Sequence, residues 1–373
     1  MMSIKLRFAY LIAALILVVI GTILGILAIL YFFSSPAIYI ILHPIFQILG
    51  LSYFVIGVAI VLLPYFKSKK FEQINFASVL FIILVFSFTF AILSIFFQNA
   101  ILIFRASITL LSFILFFYFL RFSLIKTNFP EADPFFIISA FSLLLYASLT
   151  WLLDNLVFFD LRFLLFFLLG FIGSLIYAVE TRMVAVRQTV NYKKITYTVA
   201  ILQSFSLIFL SLSLIFQVAL YISVLLFFIS AILMAISLRI FETKKPLTIH
   251  KLSKNEKRII YYNQICLIIS YIWLFLGFLL FILNQISYDV FIHIISLGFI
   301  ENTIMAFAPI FLPFILRKGS MQKVINFLII PIYNTGVILR VSINLLNFSH
   351  FSALAGILII VSILIVVIKI LSK

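Results

Sequence analysis

The chain has 373 residues, of which 66% are hydrophobic and 10% charged, with a mean hydropathy of +1.36 and a formal net charge of +16. A water-soluble domain carries about 25% charged residues, so this chain has too little charge to face water on all sides. A soluble enzyme, a nucleic-acid reader and a disordered chain are excluded, and the excess of Lys and Arg belongs to the inner loops of a polytopic membrane protein.

In chain order, Lys5 and Arg7 precede an apolar run to Phe33. It is too long for the core of a signal peptide and reads as the first span. Apolar runs of helical length follow, and the reading is an all-α helical bundle of about twelve spans, the whole of 1–373 forming one integral membrane domain. The spans fall at roughly 8–33, 39–65, 76–97, 100–124, 135–158, 161–182, 195–217, 219–241, 259–284, 290–315, 324–347 and 352–371. The weakest divisions are at Gln98–Asn99 and near Ala219, where turn signals are poor. With both termini in the cytoplasm of a cell-membrane protein, every Lys and Arg except Arg105, Arg162 and Arg340 falls on the inner side. The longest polar stretch, Glu242–Arg258, is then an inner loop. Cys266 stands alone in an apolar run, which excludes an internal disulfide or a cysteine metal site.

Two spans repeat a pattern. Gly170-Phe171-Ile172 with Ile176 and Ala178 matches Gly298-Phe299-Ile300 with Ile304 and Ala306. A third span is looser: His43, Gly50 and Pro64 parallel His293, Gly298 and Pro313. Gly21 and Gly25 form a GxxxG in the first span, which reads as helix packing.

Ionisable residues inside spans are costly and therefore point to function. His43, His293, His350, Arg105, Arg340 and Asp154 all fall towards the outer side, whereas His250 lies in an inner loop among lysines. Histidine and arginine at one depth suit a b-type haem, with imidazole on the iron and guanidinium on the propionates. The same residues equally suit interhelical hydrogen bonds and arginines reaching to the interface. Glu301, near mid-membrane beside Asn302, suits a proton relay, a quinone contact or an interhelical hydrogen bond; Glu180 and Arg182 read as boundary charges. The chain has no His-x-x-x-His pair, no ordered Ser/His/Asp set, no nucleotide-binding glycine loop and no cluster of carboxylates.

The stretch His43-Pro44-Ile45-Phe46-Gln47-Ile48-Leu49-Gly50, with Phe54, Gly57-Val58-Ala59 and Leu63-Pro64-Tyr65-Phe66, resembles a motif of the NnrS-like membrane proteins, twelve-helix relatives of haem–copper oxidase catalytic subunits. Gly170-Phe171-Ile172, Val179 and Arg182-Met183-Val184 are similar to a second block of that family. His293, Gly298-Phe299, Ile304-Met305 and Leu312-Pro313 are similar to a third, all within 43–313. The resemblance implies haem, and in the family also copper, bound by histidines, with a role in nitric-oxide metabolism or respiratory electron flow. The chain departs from the pattern at Ile45, at Ile60 and Val61, where further histidines are usual, and at Ala185, where a proline is expected. Copper would lack ligands, while one haem b on His43 and His293 survives, with His350 a substitute for either and Arg105 and Arg340 on its propionates.

The expected function is electron transfer at the outer side of the bilayer, beside other respiratory subunits, a quinone or an outer redox protein. Two alternatives stand beside it. A permease would use Glu301 but lacks a clear pair of glycine- or proline-broken helices. A cofactor-free scaffold subunit needs only the apolar surface.

Overall fold

The computed structural model describes residues 4–30, 37–66, 74–94, 96–123, 133–153, 161–186, 192–213, 215–241, 254–316, 327–346 and 351–371. Asp154, His250 and His350 lie outside the described residues. The elements are α1 (Ile4–Leu30), α2 (Ala37–Phe66), α3 (Ile74–Leu93), α4 (Gln98–Ser123), α5 (Asp133–Leu153), α6 (Leu161–Leu165), π1 (Phe166–Ile172), α7 (Gly173–Val186), α8 (Tyr192–Leu212), α9 (Gln217–Leu238), α10 (Lys254–Ile282), α11 (Tyr288–His293), π2 (Ile294–Glu301), α12 (Asn302–Leu316), α13 (Ile329–Leu346) and α14 (Ser352–Leu371). Segments α6–π1–α7 and α11–π2–α12 run on without interruption, so each is a single rod. Among the described residues nine helices are long and apolar enough to cross a membrane, and apolar helices at Phe136–Leu149, Ile329–Ser342 and Ala353–Ile368 are shorter. Large apolar side chains such as Ile82, Phe117 and Ile215 point outward, as they do when the solvent is lipid.

The two weakest divisions are real, and each comes a few residues before the expected place. Leu93-Ser94 and Phe97-Gln98 in one turn match Leu212-Ser213 and Phe216-Gln217 in the other. Both turns have the same hydrogen bonds. Phe97 N–H reaches Leu93 O and Phe216 N–H reaches Leu212 O, each at 2.9 Å, while Ser94 and Ser213 hydroxyls donate to Ala91 O and Leu210 O. A serine that satisfies a carbonyl three residues back lets the helix stop without proline or glycine.

These matching turns mark a larger repetition. The rods α3, α4, α5 and α6–π1–α7 correspond in order to α8, α9, α10 and α11–π2–α12. A third set is α13, α14, α1 and α2, joined where α14 packs on α1. In every set the first rod packs on the second, the second on the third and the third on the fourth. The fourth rods are the central ones. Their apolar windows are 78% (α2), 89% (α6–π1–α7) and 72% (α11–π2–α12) buried, against 22–50% for the other membrane-length helices. All three wall one cavity, through Phe54 and Val58 of α2, Ile172 and Leu175 of π1 and α7, and Thr303 and Phe307 of α12.

Buried hydrogen bonds tie each set to the next. Tyr10 of α1 donates to Ala77 O of α3 at 2.8 Å, Gln203 of α8 to the Ser174 hydroxyl of α7 at 2.7 Å, and Asn302 of α12 to Asn334 Oδ1 of α13 at 3.2 Å. Ser174 and Asn302 both stand four residues after the repeated glycine, so two of these ties are equivalent. Asn334 Oδ1 also accepts from Trp273 Nε1 at 2.9 Å, and Asn334 Nδ2 donates back to Asn302 Oδ1 at 3.1 Å. Asn334→Leu leaves Trp273 Nε1 and the Asn302 amide short of partners, at a cost of about 1–2 kcal/mol. Thermal unfolding in detergent should show a lower midpoint for Asn334→Leu, and the double variant with Asn302→Leu should lose less than the sum of the single losses.

Candidate functional site

His293 is positioned by its own helix. The Ser287 hydroxyl accepts from Val290 N–H, which starts α11 with Asp289 in the first turn, a favourable place for a carboxylate. One turn on, His293 Nδ1 lies 2.7 Å from Asp289 O. A carbonyl only accepts, so Nδ1 carries the hydrogen and Nε2 keeps its lone pair.

His43 is fixed in the same sense by a different helix. Its Nδ1 donates to Gly21 O of α1 at 2.7 Å. The ring lies against Gly25, where a Cβ would stand 2.8 Å from both His43 Cε1 and Nδ1. The Gly21–Gly25 pair therefore does more than pack helices: it is the seat of the imidazole. Gln47, one turn further along α2, donates to Thr22 Oγ1 at 3.0 Å and Val18 O at 3.3 Å and holds the same face of α2 on α1.

The two imidazoles meet. Their centroids are 6.2 Å apart and their planes parallel within 3°. Aligning Gly170 with Gly298 places the buried Leu165 of the third central rod where His293 stands in α11; His43 stands seven residues before Gly50 rather than five, so the two histidines do not share one position of the repeat.

Arg340 of α13 completes the group. Its Nη2 lies 3.1 Å from His293 Nε2 and 3.5 Å from Nδ1, and 3.3 Å from Asp289 Oδ2. A donor on the lone pair of one ring nitrogen would lie far from the other nitrogen, so a group close to both sits over the ring face. Nη2 therefore lies towards the face of the His293 ring rather than along the Nε2 lone pair. Arg340 Nη1 is buried with no acceptor among the described residues. Arg105, 5% exposed, lies on α4, which packs on α3 and α5; no described contact brings it to the imidazoles.

The Gly298 pattern that repeats in the sequence coincides with the π segments: Gly170-Phe171-Ile172 ends π1 and Gly298-Phe299-Ile300 lies within π2, and the two segments pack together. Both rods stay continuous through these π segments, so neither is a broken helix. A π turn spoils the regular carbonyl pairing, and side chains repair it in π2. Leu297 O accepts from the Tyr333 hydroxyl, Gly298 O from Asn302 Nδ2 and Phe299 O from Thr303 Oγ1, each at 2.8 Å.

Glu301 ends π2. The Tyr333 oxygen is 2.8 Å from Leu297 O and 2.7 Å from Glu301 Oε2. A hydroxyl has one hydrogen and a carbonyl has none to give. Both contacts are filled as hydrogen bonds only when Tyr333 donates to Leu297 O and a protonated Glu301 donates to Tyr333. Glu180, read as a boundary charge, is instead fully buried, and Tyr271 donates to its Oε2 at 2.6 Å. Tyrosines 271 and 333 and the Asn302–Asn334 pair escaped sequence reading because single polar residues in long apolar runs show no spacing to one another.

A family model described as a domain of unknown function (DUF8744) matches residues 209–373, a span that includes His293, Glu301 and Arg340 and leaves out His43. No curated protein matches the chain. Among the described residues no group of three or more His, Cys, Asp or Glu is placed to hold a metal ion.

The proton on Glu301 is directly observable. Infrared spectra of the protein at neutral pH should contain a protonated-carboxyl stretch that disappears in Glu301→Gln and shifts in Tyr333→Phe; a native spectrum without it contradicts the hydrogen count.

Proposed function

We propose that this protein is a haem-b membrane protein that carries electrons near the outer face of a cell membrane, with His43 and His293 as the residues that would hold the haem. The facing imidazoles carry the reading. An imidazole nitrogen binds a first-row metal at about 2.0–2.1 Å, and ring centres 6.2 Å apart are close enough that both rings would reach one metal ion. Both rings have the tautomer that leaves Nε2 for a metal, held by a carbonyl on Nδ1 as metal-ligating histidines commonly are. The buried, unsatisfied Nη1 of Arg340 is a donor suited to a propionate carboxylate. These residues fit the group.

Haem supplies one-electron redox chemistry when bound. The chain's part is to hold it. The carbonyls of Gly21 and Asp289 fix the imidazoles, the Gly25 gap seats His43, and the Arg340 guanidinium beside His293 is suited to a bound carboxylate. Twelve crossings with both termini in the cytoplasm put this cluster outside, where a redox protein or another respiratory subunit reaches it, and the basic inner loops support that orientation.

A permease is the second reading. Its support is the pair of packed central rods, each carrying a π segment at the repeated glycine pattern, a helical irregularity often placed at functional sites. Proteoliposome uptake that disappears in Glu301→Leu would favour it.

The haem reading predicts one haem b per chain by pyridine haemochrome assay, with a low-spin spectrum. His43→Ala and His293→Ala should each lower haem content at least tenfold, and Gly25→Val should do so while keeping both histidines. Arg340→Leu should weaken haem retention several-fold, with Arg340→Lys a poor rescue because the forked guanidinium is lost. Folded protein, reconstituted with excess haemin and still colourless, would refute the reading.

A further inference from the structure

A second cavity, of about 130 Å³, lies between α1, α2, α12 and α14. Its walls are Leu11 to Val18 on one side, Gly50, Leu51 and Phe54 on another, and Ile304 to Leu312 with Ile363 to Val367 on the rest. Ile12, on its wall, is 44% exposed, so the cavity borders the surface that faces lipid. Glu301 is its one ionisable wall residue.

We propose that this cavity binds the head of a quinone or quinol, with Glu301 as its polar contact. Three observations together select that chemistry. Nearly the whole wall is aliphatic, which suits a ligand dissolved in the hydrocarbon. Glu301 stands midway along the continuous rod from Tyr288 to Leu316, far from headgroup level. Fatty acids, phospholipids and sterols keep their polar ends at the interface, so a polar contact at this depth calls for a molecule whose oxygen atoms travel inside the membrane. The Glu301 carboxyl, with one oxygen bound to Tyr333, keeps its other oxygen for a ligand hydroxyl, and by rotation its proton serves a ligand carbonyl. One residue therefore meets both redox forms of a quinone. The site does not depend on the haem reading, because its residues do not overlap His43, His293 or Arg340.

The test is photolabelling of the full-length protein in phosphatidylcholine nanodiscs with a short-tailed azido-quinone, followed by peptide mapping. Label is expected on α1, α12 or α14 beside the cavity, competed by decylubiquinone and not by oleic acid. Glu301→Leu should reduce it at least tenfold, and Ala308→Phe, which fills the cavity, should do the same. Glu301→Gln keeps a donor and an acceptor and should stay within about threefold, which separates loss of the contact from loss of the fold. Label equal in Glu301→Leu and native protein, label elsewhere, or equal competition by oleic acid would overturn the proposal; the last result would make the cavity an acyl-chain slot. The same labelling of a His43→Ala, His293→Ala protein should be unchanged, so failure of the haem assay leaves this result standing.

Discussion

The hydrogen bond from His43 Nδ1 to the Gly21 carbonyl governs the site. In a low-dielectric interior an imidazole must give its N–H to an acceptor or lose the bond it had in water. The acceptor here is a backbone carbonyl of a neighbouring helix, reachable because Gly21 and Gly25 remove the side chains that would hold α1 away. One contact thus sets the approach of two helices, the tautomer of the ring and the direction of its free nitrogen. His293 reaches the same state within its own helix, through the Asp289 carbonyl. The parallel planes of the two rings follow from two independent backbone anchors.

The wider fold places those anchors opposite one another. Three sets of four rods each contribute their most buried member to a common centre. Two of those central rods, α2 and α11–π2–α12, each contribute a histidine to one meeting point. The same arrangement explains the mid-depth chemistry. The two π segments meet at the centre, and in π2 the side chains of Tyr333, Asn302 and Thr303 donate to the carbonyls of Leu297, Gly298 and Phe299. Glu301 enters this network through Tyr333, which binds its protonation to the hydrogen bonding of the helix itself: if the proton leaves, the tyrosine must choose between the carboxylate and Leu297 O.

Helical class and the positions of the rods were legible in the sequence because long apolar runs leave the backbone only one way to satisfy itself in lipid. The repeat at Gly170 and Gly298 was legible as a pattern, though its meaning, a π turn, was not, since no residue type announces an extra residue per turn. The Leu-Ser and Phe-Gln turns at 93–98 and 212–217 were present to be read. They were passed over because serine was not counted as a stop signal within an apolar run. His43 and His293 could be singled out as polar groups in an apolar solvent and paired by depth. Arg340 shared that depth and joins them; Arg105 shared it too but lies on a rod of another set, and depth alone carries no information about which side of a bundle a residue occupies. Gly25 was visible only as part of a packing motif, because nothing in one helix's sequence says which side chain of the next will fill its gap.

The account rests on two histidines from separate rods facing each other, and their distance can be probed without any cofactor. In a Cys266→Ser background, cysteines placed at 43 and 293 should be bridged efficiently within one chain by a short bis-thiosulfonate reagent in native membranes, so that a chain cut between α9 and α10 stays linked on a non-reducing gel. Two fragments that separate completely, while a cysteine pair at the α1–α14 contact still links them, would contradict it.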